Sequence, residues 1–580
     1  MNTNEFDVLK VIGLYGSVSQ RELSSLTGLS LGKINKSVKL LKDNGFVDGD
    51  MSITPKTKSL IADSKPKSAI ILSAGYGLKM VPLCRDIPKA LLEVRGEILI
   101  ERLINQLNTA GIYKIYVVVG YMKERFEYLI DKFNVELIVN NDYKTKNNLH
   151  SLKIVSDKIN NSYILPSDIW CSENPFGNTE LYSWYMVSKK ESYSSSLKCN
   201  RNKELVEVYC GEQGNKEIGI AYVCKKDSET LKNNIKLLER SDSYNIAFWE
   251  KAFYLNGKSL LRAKLVDEDF CFEINTYDDL VKADVDSPSL NCEYIEIICS
   301  SLNTCKEKIH DFASLKSGMT NRSFIFECDG KRYIFRIPGE GTDKLINRKQ
   351  EYDVYTQIAD KNICDKVIYI NPKSGYKITE FIEDSRNCNP NDDTDVRNCM
   401  EYLKVFHDKS FSVDYVFDIF DQIEYYEKLR NRSSIYMDYD LVKENVFRLK
   451  NYIDRQEKTF CLTHIDAVPD NFIISDIGIK LIDWEYSAMQ DPHVDIAMFA
   501  IYALYDKSRI DFLIDTYFDN MCPRDVRLKI YCYIAACGLL WSNWCEYKAT
   551  LGVEFGEYSL RQYRYAKDFY RYFTEELNNE

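Results

Sequence analysis

Two clusters in this chain have the residue types and spacing that phosphate chemistry needs. The first is SAGYGLKMVPLCRDIPK, Ser73 to Lys89, directly after the apolar run AIIL. A glycine pair, Gly75 and Gly77, on a tight turn after a strand and followed by Lys79 and Lys89, suggests a loop that wraps phosphate. The turn lacks the Lys-Ser/Thr pair of a Walker A loop, and Met80 stands where a dinucleotide fingerprint needs its third glycine. The second cluster is THIDAVPDNFIIS, followed by KLIDWEY. His464, Asp466 and Asn471 fit H-x-D-x-x-x-x-N, and Asp483 follows after a short strand. Phosphoryl transfer needs a base near the acceptor hydroxyl and oxygen ligands for Mg2+ on a triphosphate. Asp466 suits the base, and Asn471 and Asp483 suit the metal.

These clusters lie 374 or more residues apart in a chain of 580, too long for a single core. Composition is that of an ordered globular protein: 45% hydrophobic and 28% charged residues. A net charge of −11 argues against a chain devoted to nucleic acid or acidic membranes. The 18 cysteines include no C-x-x-C pair and there are five histidines, so a Cys/His zinc site lacks its usual spacing. No apolar run approaches the ~18 residues of a membrane span, and the polar, acidic start is no signal peptide. Free buried thiols in a reducing cytoplasm are the expectation.

Three segments position the clusters. Residues 1–62 have the rhythm of a winged helix. Phe6, Leu9 and Ile12 have helical spacing, SQRELSSLTGLS gives a second helix and a turn, and Ser30 can cap a third. In that third helix Leu31, Ile34, Val38 and Leu41 form one apolar stripe. FVDGDMSIT reads as a small hairpin with an Asp-Gly turn. Lys33, Asn35, Lys36 and Lys39 lie away from the stripe, where a recognition helix would meet a groove. The segment resembles winged-helix domains of bacterial regulators, which implies DNA as its partner. Its mild positive charge leaves a docking or dimerising role equally open.

From 66 to 290 the runs AIILSA, IYVVVG, ELIVN, YILPSD and GIAYVC alternate with helix-compatible stretches, predicting an α/β layered domain. LSAGYGLKMVPLCRDIPKAL resembles the signature LAAGxGxRMxPLTxxxPKxL of the nucleotidyltransferase superfamily, with a Rossmann-like fold. The resemblance implies that Ala74, Gly75 and Gly77 hold a nucleoside triphosphate. Lys79 and Lys89 would offset the charge that grows as its α-phosphate is attacked. Lys79 replaces the usual Arg. NNDYKTKNNLHSL, SDIWCSENPF, FWEKAF and FEINTYDDL look most like bacterial phosphocholine cytidylyltransferases. They imply Asp168 and Glu273 as Mg2+ ligands, with Asn275 standing where Asp is frequent. A quaternary ammonium cannot donate a hydrogen bond and is recognised by aromatic faces. Trp170, Tyr185 and Trp249 are the aromatic candidates near these motifs.

Residues 293–580 carry the second cluster, with a hairpin at FIFECDGKRYIFRI and a largely helical remainder. The segment resembles choline kinases and the wider aminoglycoside phosphotransferase family, which implies a bilobal, protein-kinase-like α+β domain. Gly318, Thr320 and Asn321 would cover the nucleotide phosphates. Arg336 stands where protein kinases use Lys, and Glu351 could pair with it. Trp541 and Trp544, three apart on one helical face, would surround a trimethylammonium group, with Glu485 as the nearby carboxylate.

Together the resemblances imply a multidomain, bifunctional enzyme. It would phosphorylate choline with ATP and join phosphocholine to CTP, with Mg2+ at both sites and no membrane insertion. Three alternatives remain at this stage. One is ethanolamine or another amino alcohol as substrate. Another is a sugar-1-phosphate nucleotidyltransferase fused to a small-molecule kinase. The third is a winged-helix regulator with enzyme-derived sensor domains.

Overall fold

Alternating apolar and helical stretches close into two packed units in the computed structural model, Met1–Ser314 and Leu315–Glu580. The structure describes every residue except 194, 201, 210, 242, 256–257, 316–320, 340–341 and 579–580. Residues 293–314, expected in the kinase-like segment, pack with the first unit.

The first unit begins with helices α1 (Thr3–Tyr15), α2 (Gln20–Thr27) and α3 (Leu31–Asp43). Capping boxes start two of them: Asn2 with Glu5, and Ser19 with Glu22. Ser30 occupies the N-cap of α3 but makes no side-chain cap bond. Leu9, Ile12, Ile34, Val38 and Leu41 meet in one apolar cluster, whereas Leu31, at the first turn, is exposed. The wing is reduced to one bridge, Val47 to Ile53, because the chain turns at once into α4 (Pro55–Asp63).

The α/β domain holds β1 (Ser68–Ser73), α5 (Leu99–Thr109), β2 (Ile115–Val119), β3 (Glu136–Val139), α6 (Asn148–Ile154) and β4 (Ser162–Pro166). It continues with β5 (Ile169–Cys171), β6 (Trp184–Ser192), β7 (Gly214–Val223), α7 (Lys225–Leu238), β8 (Arg262–Val266) and β9 (Cys271–Glu273). Seven strands form one sheet in the order β8-β6-β7-β4-β1-β2-β3. The β4-β1-β2-β3 half is parallel, and its strands are apolar almost throughout because helices cover both faces.

Off this sheet, β5 and β9 pair antiparallel with Cys171 opposite Cys271, and the two are joined as a disulfide. This corrects the expectation that all thiols are free. The partners are 100 residues apart, so spacing gave no sign of the pair, and only strand register brings them face to face.

In the second unit the expected hairpin is β10 (Asn321–Cys328) and β11 (Lys331–Pro338), turning at Asp329-Gly330, both with positive φ. Next come α8 (Arg348–Ile358), β12 (Val367–Ile370) and β13 (Lys377–Glu380), with strand order β10-β11-β13-β12. A second hairpin, β14 (Phe472–Ser475) and β15 (Gly478–Leu481), precedes α9 (His493–Tyr502), α10 (Arg524–Thr550) and α11 (Glu557–Asn578). Helix α10 is buried from Leu528 to Lys548. It is the axis of the helical core, which explains its apolar residues on every face.

Candidate active sites

In the first unit β1 runs into the glycine turn. Gly77 has φ +63, and a Cβ there would lie 2.9 Å from Cys84 Sγ, so only glycine fits the turn. Gly75 is exposed and Ala74 buried; Lys79, on the following turn of 3-10 helix, is exposed. Lys89 reaches across to the far side of the sheet end. Its Nζ is ion-paired with Asp168 and lies 2.6 Å from Asn275 Oδ1. Asn275 Nδ2 in turn donates to Glu273 Oε2 at 2.6 Å. Four residues from three distant segments thus form one chain: Glu273–Asn275–Lys89–Asp168.

This cluster fits Mg2+. Asp168 Oδ1 is buried without a hydrogen-bond partner among the described residues. Burial and the Asp168 charge push the Glu273 carboxyl up to about 7. Two carboxylates held together with one oxygen uncommitted are a hard-cation donor set. Where Asp is frequent, the Asn275 amide links the lysine to Glu273, a role a neutral side chain with both donor and acceptor can fill.

Beside it, the Tyr185 hydroxyl contacts Glu250 Oε1 (3.2 Å) and Glu217 Oε2 (3.4 Å). Its ring packs edge-on to Trp249, with centroids 6.0 Å apart, and near Phe253. Asn148, from the Asn-rich stretch, accepts from the Trp249 backbone N–H at 2.9 Å and so holds that turn. Burial, then the Glu217 charge, raises Glu250 to about 8, and its Oε2 is buried without a partner among the described residues. Glu273 is near enough for its charge to act on both Tyr185 and Glu250. Trp170 is placed differently: it stacks on Phe272 and is covered by the Arg95 and Arg102 guanidinium groups, at 4.4 and 4.6 Å. Sequence reasoning singled out neither Glu217 nor Glu250, although both lie in or beside the runs that carry the resemblance.

In the second unit, Arg336 on β11 is buried against carboxylates. Its NH1 is 2.6 Å from Glu351 Oε1 and 3.1 Å from Asp483 Oδ1, and NH2 donates to Glu351 Oε2 at 2.7 Å. The expected pair with Glu351 of α8 is therefore present. Glu485 faces this network and accepts from Asn321 (2.9 Å) and Arg348 (3.4 Å). It is absent from the cavity that holds the tryptophans. Gly318 and Thr320 lie outside the described residues. Lys377 on β13 was missed by sequence reasoning. It is directly opposite Arg336 in register, lines the cavity, and lies 3.6 Å from Glu351.

Asp466, Asn471 and Asp483 line one cavity of about 800 Å³. Asn471 Nδ2 donates to the Asp466 backbone carbonyl (2.9 Å) and Oδ2 (3.3 Å), leaving its amide oxygen as the end available to a metal. Ile465 and Asp483 both have left-handed backbones, φ +69 and +66, a conformation that non-glycine residues keep only where the surroundings enforce it. At Ile465 the enforcing group is Asp495, which accepts the backbone N–H groups of His464 (3.0 Å) and Ile465 (2.8 Å), and is 3.0 Å from His407 Nε2. Burial, with the Asp483 and Glu485 charges, drives the Asp466 carboxyl well above its usual range. Uncompensated negative charge beside an acceptor amide oxygen suits Mg2+ here too.

The same cavity is walled by Tyr486, Tyr502, Trp541, Trp544 and Tyr558. Trp541 and Trp544 meet edge-to-face at 5.5 Å, and Tyr486 lies edge-on to Trp541 at 5.6 Å. Aromatic faces and catalytic-type oxygens therefore share one enclosure.

Fold and sites define a two-domain transferase of phosphorus-containing groups preceded by a winged helix. Three family models match in the same order: winged helix-turn-helix DNA-binding at residues 1–48, nucleotidyl transferase at 68–181, and choline/ethanolamine kinase at 312–517. A 2-aminoethylphosphonate cytidylyltransferase of Lancefieldella rimae is 30% identical, over 33% of this chain and 80% of its own. A choline-phosphate cytidylyltransferase of Streptococcus pneumoniae is 40% identical over 21% of this chain and 54% of its own. Protein LicA of Haemophilus influenzae is 28% identical over 42% of this chain and 96% of its own. The chain belongs to the nucleotidyltransferase family through its central domain, and its C-terminal domain is similar to choline/ethanolamine kinases over residues 312–517.

Replacing Asp495 with Asn should leave the fold intact but loosen the loop that carries Asp466. Steady-state kinetics of the kinase reaction should show kcat falling about 100-fold or more, because ~1 Å of misplacement costs this much, with KM for ATP nearly unchanged.

Proposed function

We propose that the chain phosphorylates choline with ATP and then transfers CMP from CTP to the phosphocholine, giving CDP-choline and pyrophosphate. One observation carries this reading: in the kinase domain Tyr486, Trp541 and Trp544 share one cavity with Asp466, Asn471 and Asp483, an enclosure suited to a trimethylammonium head group. In the nucleotidyltransferase domain Tyr185, Trp249 and Glu250, packed together beside Glu273, would receive the same group. The choline/ethanolamine kinase match and the choline-phosphate cytidylyltransferase relative support the same substrates.

In the first step Asp466 orients the choline hydroxyl and accepts its proton while the oxygen bonds to the γ-phosphorus and ADP leaves. Asn471 and Asp483 would hold Mg2+, which supplies charge neutralisation on the triphosphate. Arg336 and Glu351 position the nucleotide, with Asn321 beside them. In the second step a phosphocholine phosphate oxygen bonds to the α-phosphorus of CTP and pyrophosphate leaves. The turn at Ala74, Gly75 and Gly77 would hold CTP, Lys89 and Lys79 would offset charge, and Asp168 and Glu273 would hold the metal. In this reading residues 66–290 form the cytidylyltransferase and the C-terminal unit the kinase. On this reading the enzyme works in the cytoplasm, where ATP and CTP are supplied. The winged helix would take duplex DNA on α3, where Lys33, Lys36 and Lys39 are exposed.

Incubation with choline, ATP, CTP and Mg2+ should yield phosphocholine and CDP-choline by mass spectrometry, and absence of both would refute the reading. Asp466→Asn should stop the first product but still turn added phosphocholine into CDP-choline; Lys89→Ala should do the reverse.

A primary ammonium prefers carboxylates to aromatic boxes, so Trp541→Ala and Trp544→Ala separate choline from ethanolamine. Each should raise the KM for choline about tenfold or more, from ~1–2 kcal/mol of cation–π contact, and leave ethanolamine kinetics within about twofold. An equal loss for both substrates would favour a general packing role.

Glu250 also makes the second step pH-dependent. Its carboxyl, raised to about 8 by burial and the Glu217 charge, is neutral below that pH, and a quaternary ammonium favours the ionised form. The KM for phosphocholine should therefore fall as pH rises from 6 to 8, and Glu250→Gln should flatten that profile.

A further inference from the structure

The winged helix is built into the cytidylyltransferase domain. The connection from α4 to β1 is four residues long, and Asn161 and Tyr222 bind its backbone at Asp63 and Ser64 (2.7 and 3.1 Å). Helix α1 turns its polar face onto the three residues Glu180–Tyr182. Lys10 Nζ is 2.9 Å from Glu180 Oε2, and the Asp7 carboxylate accepts from the Tyr182 hydroxyl and from Lys203 Nζ, both at 2.9 Å. Leu181 is buried in the same apolar cluster as Leu9, Ile34 and Val38. A residue of the enzyme domain thus completes the core that holds α1 against α3.

The other side of these residues belongs to the active site's frame. The buried Glu180 carboxylate accepts from Trp184 Nε1 (3.1 Å) on β6 and from the Tyr163 hydroxyl (3.0 Å) on β4. Strand β6 carries Tyr185 as its next residue, and β4 leads to Asp168 two residues past its end. Helix α3 meanwhile turns Lys33, Lys36 and Lys39 to solvent, and none of them forms an ion pair among the described residues. An exposed row of unpaired cations on a helix is complementary to phosphate, whereas the charges of α1 are already used.

We propose that the chain is a ligand-responsive DNA-binding regulator as well as an enzyme: filling its acceptor pocket changes the affinity of α3 for duplex DNA, through Lys10, Glu180 and Trp184. This rests on the readings of the acceptor pocket and of α3 under Proposed function. The physical basis is a shared core. A ligand that draws Tyr185 and Glu250 around its head group acts on the start of β6, and the residues just before it are core residues of the winged helix. Close-packed cores transmit such shifts because they cannot deform without repacking. Two ligands acting on one such core are linked reciprocally.

The test uses the full chain and duplexes it selects from a random pool. Fluorescence anisotropy at fixed salt gives the duplex Kd with and without saturating CDP-choline, and calorimetry gives the CDP-choline Kd with and without duplex. We expect a change of about fivefold or more, by the same factor in both directions. Lys10→Ala and Glu180→Gln should each still bind both ligands but bring that factor below about twofold. Lys36→Ala combined with Lys39→Ala should lose the duplex and keep cytidylyltransferase kinetics. Equal duplex affinity with and without CDP-choline, or coupling that survives both network variants, would overturn the proposal while leaving the enzyme reading intact. Selection that enriches no duplex overturns it together with the DNA reading, and failure to bind CDP-choline overturns it together with the enzyme reading.

Discussion

Negative charge gathered in partly dehydrated places is the constraint around which both units are arranged. A buried carboxylate is costly unless a cation or several donors meet it. In the first unit Lys89 and Asn275 tie Asp168 and Glu273 into one chain, yet one Asp168 oxygen has no partner among the described residues. In the second unit Arg336 is shared among Glu351, Asp483 and Glu485, while Asp466 receives the Asn471 amide. Each site thus holds more carboxylate than its own cations offset. That surplus is what a metal–nucleotide complex and a cationic acceptor would satisfy.

The scaffolds can hold such surplus because the groups behind them are rigid. Asp495 fixes two backbone N–H groups of the loop bearing Asp466. The Cys171–Cys271 link ties together the strands next to Asp168 and ending at Glu273. Asn148 holds the Trp249 turn from a helix across the domain. In each case a residue remote from the chemistry sets the angle of one that would perform it, the condition for placing charge before a reaction begins.

Much of this was legible in sequence wherever the signal was local. The glycine turn, the H-x-D-x-x-x-x-N run and the hairpin at Asp329-Gly330 each depend on residues a few positions apart, and backbone sterics read such patterns directly. The Arg336–Glu351 pair was also anticipated, from the resemblance to kinases, in which a lysine stands at the position of Arg336. Glu485 and Trp170 show the limit. Both were grouped with aromatic pockets by proximity in sequence, but Trp170 lies on a strand, which sends successive side chains to opposite faces, and Glu485 lies in a turn. Trp170 is covered by two arginines, and Glu485 turns to the Arg336 network.

The sequence by itself determined the order of the segments, the nucleotidyltransferase family of the central one and the residue types available at each phosphate site. It did so because these follow from short-range periodicity and from motifs whose backbone geometry is self-contained. Tertiary structure alone decided the partnerships: Cys171 with Cys271, Lys89 with Asn275, Glu250 with Tyr185, and Leu181 with the core of the winged helix. Those contacts join residues separated by tens to hundreds of positions. Their existence depends on strand register and helix docking, which are settled by packing the whole unit and leave no mark in the spacing along the chain.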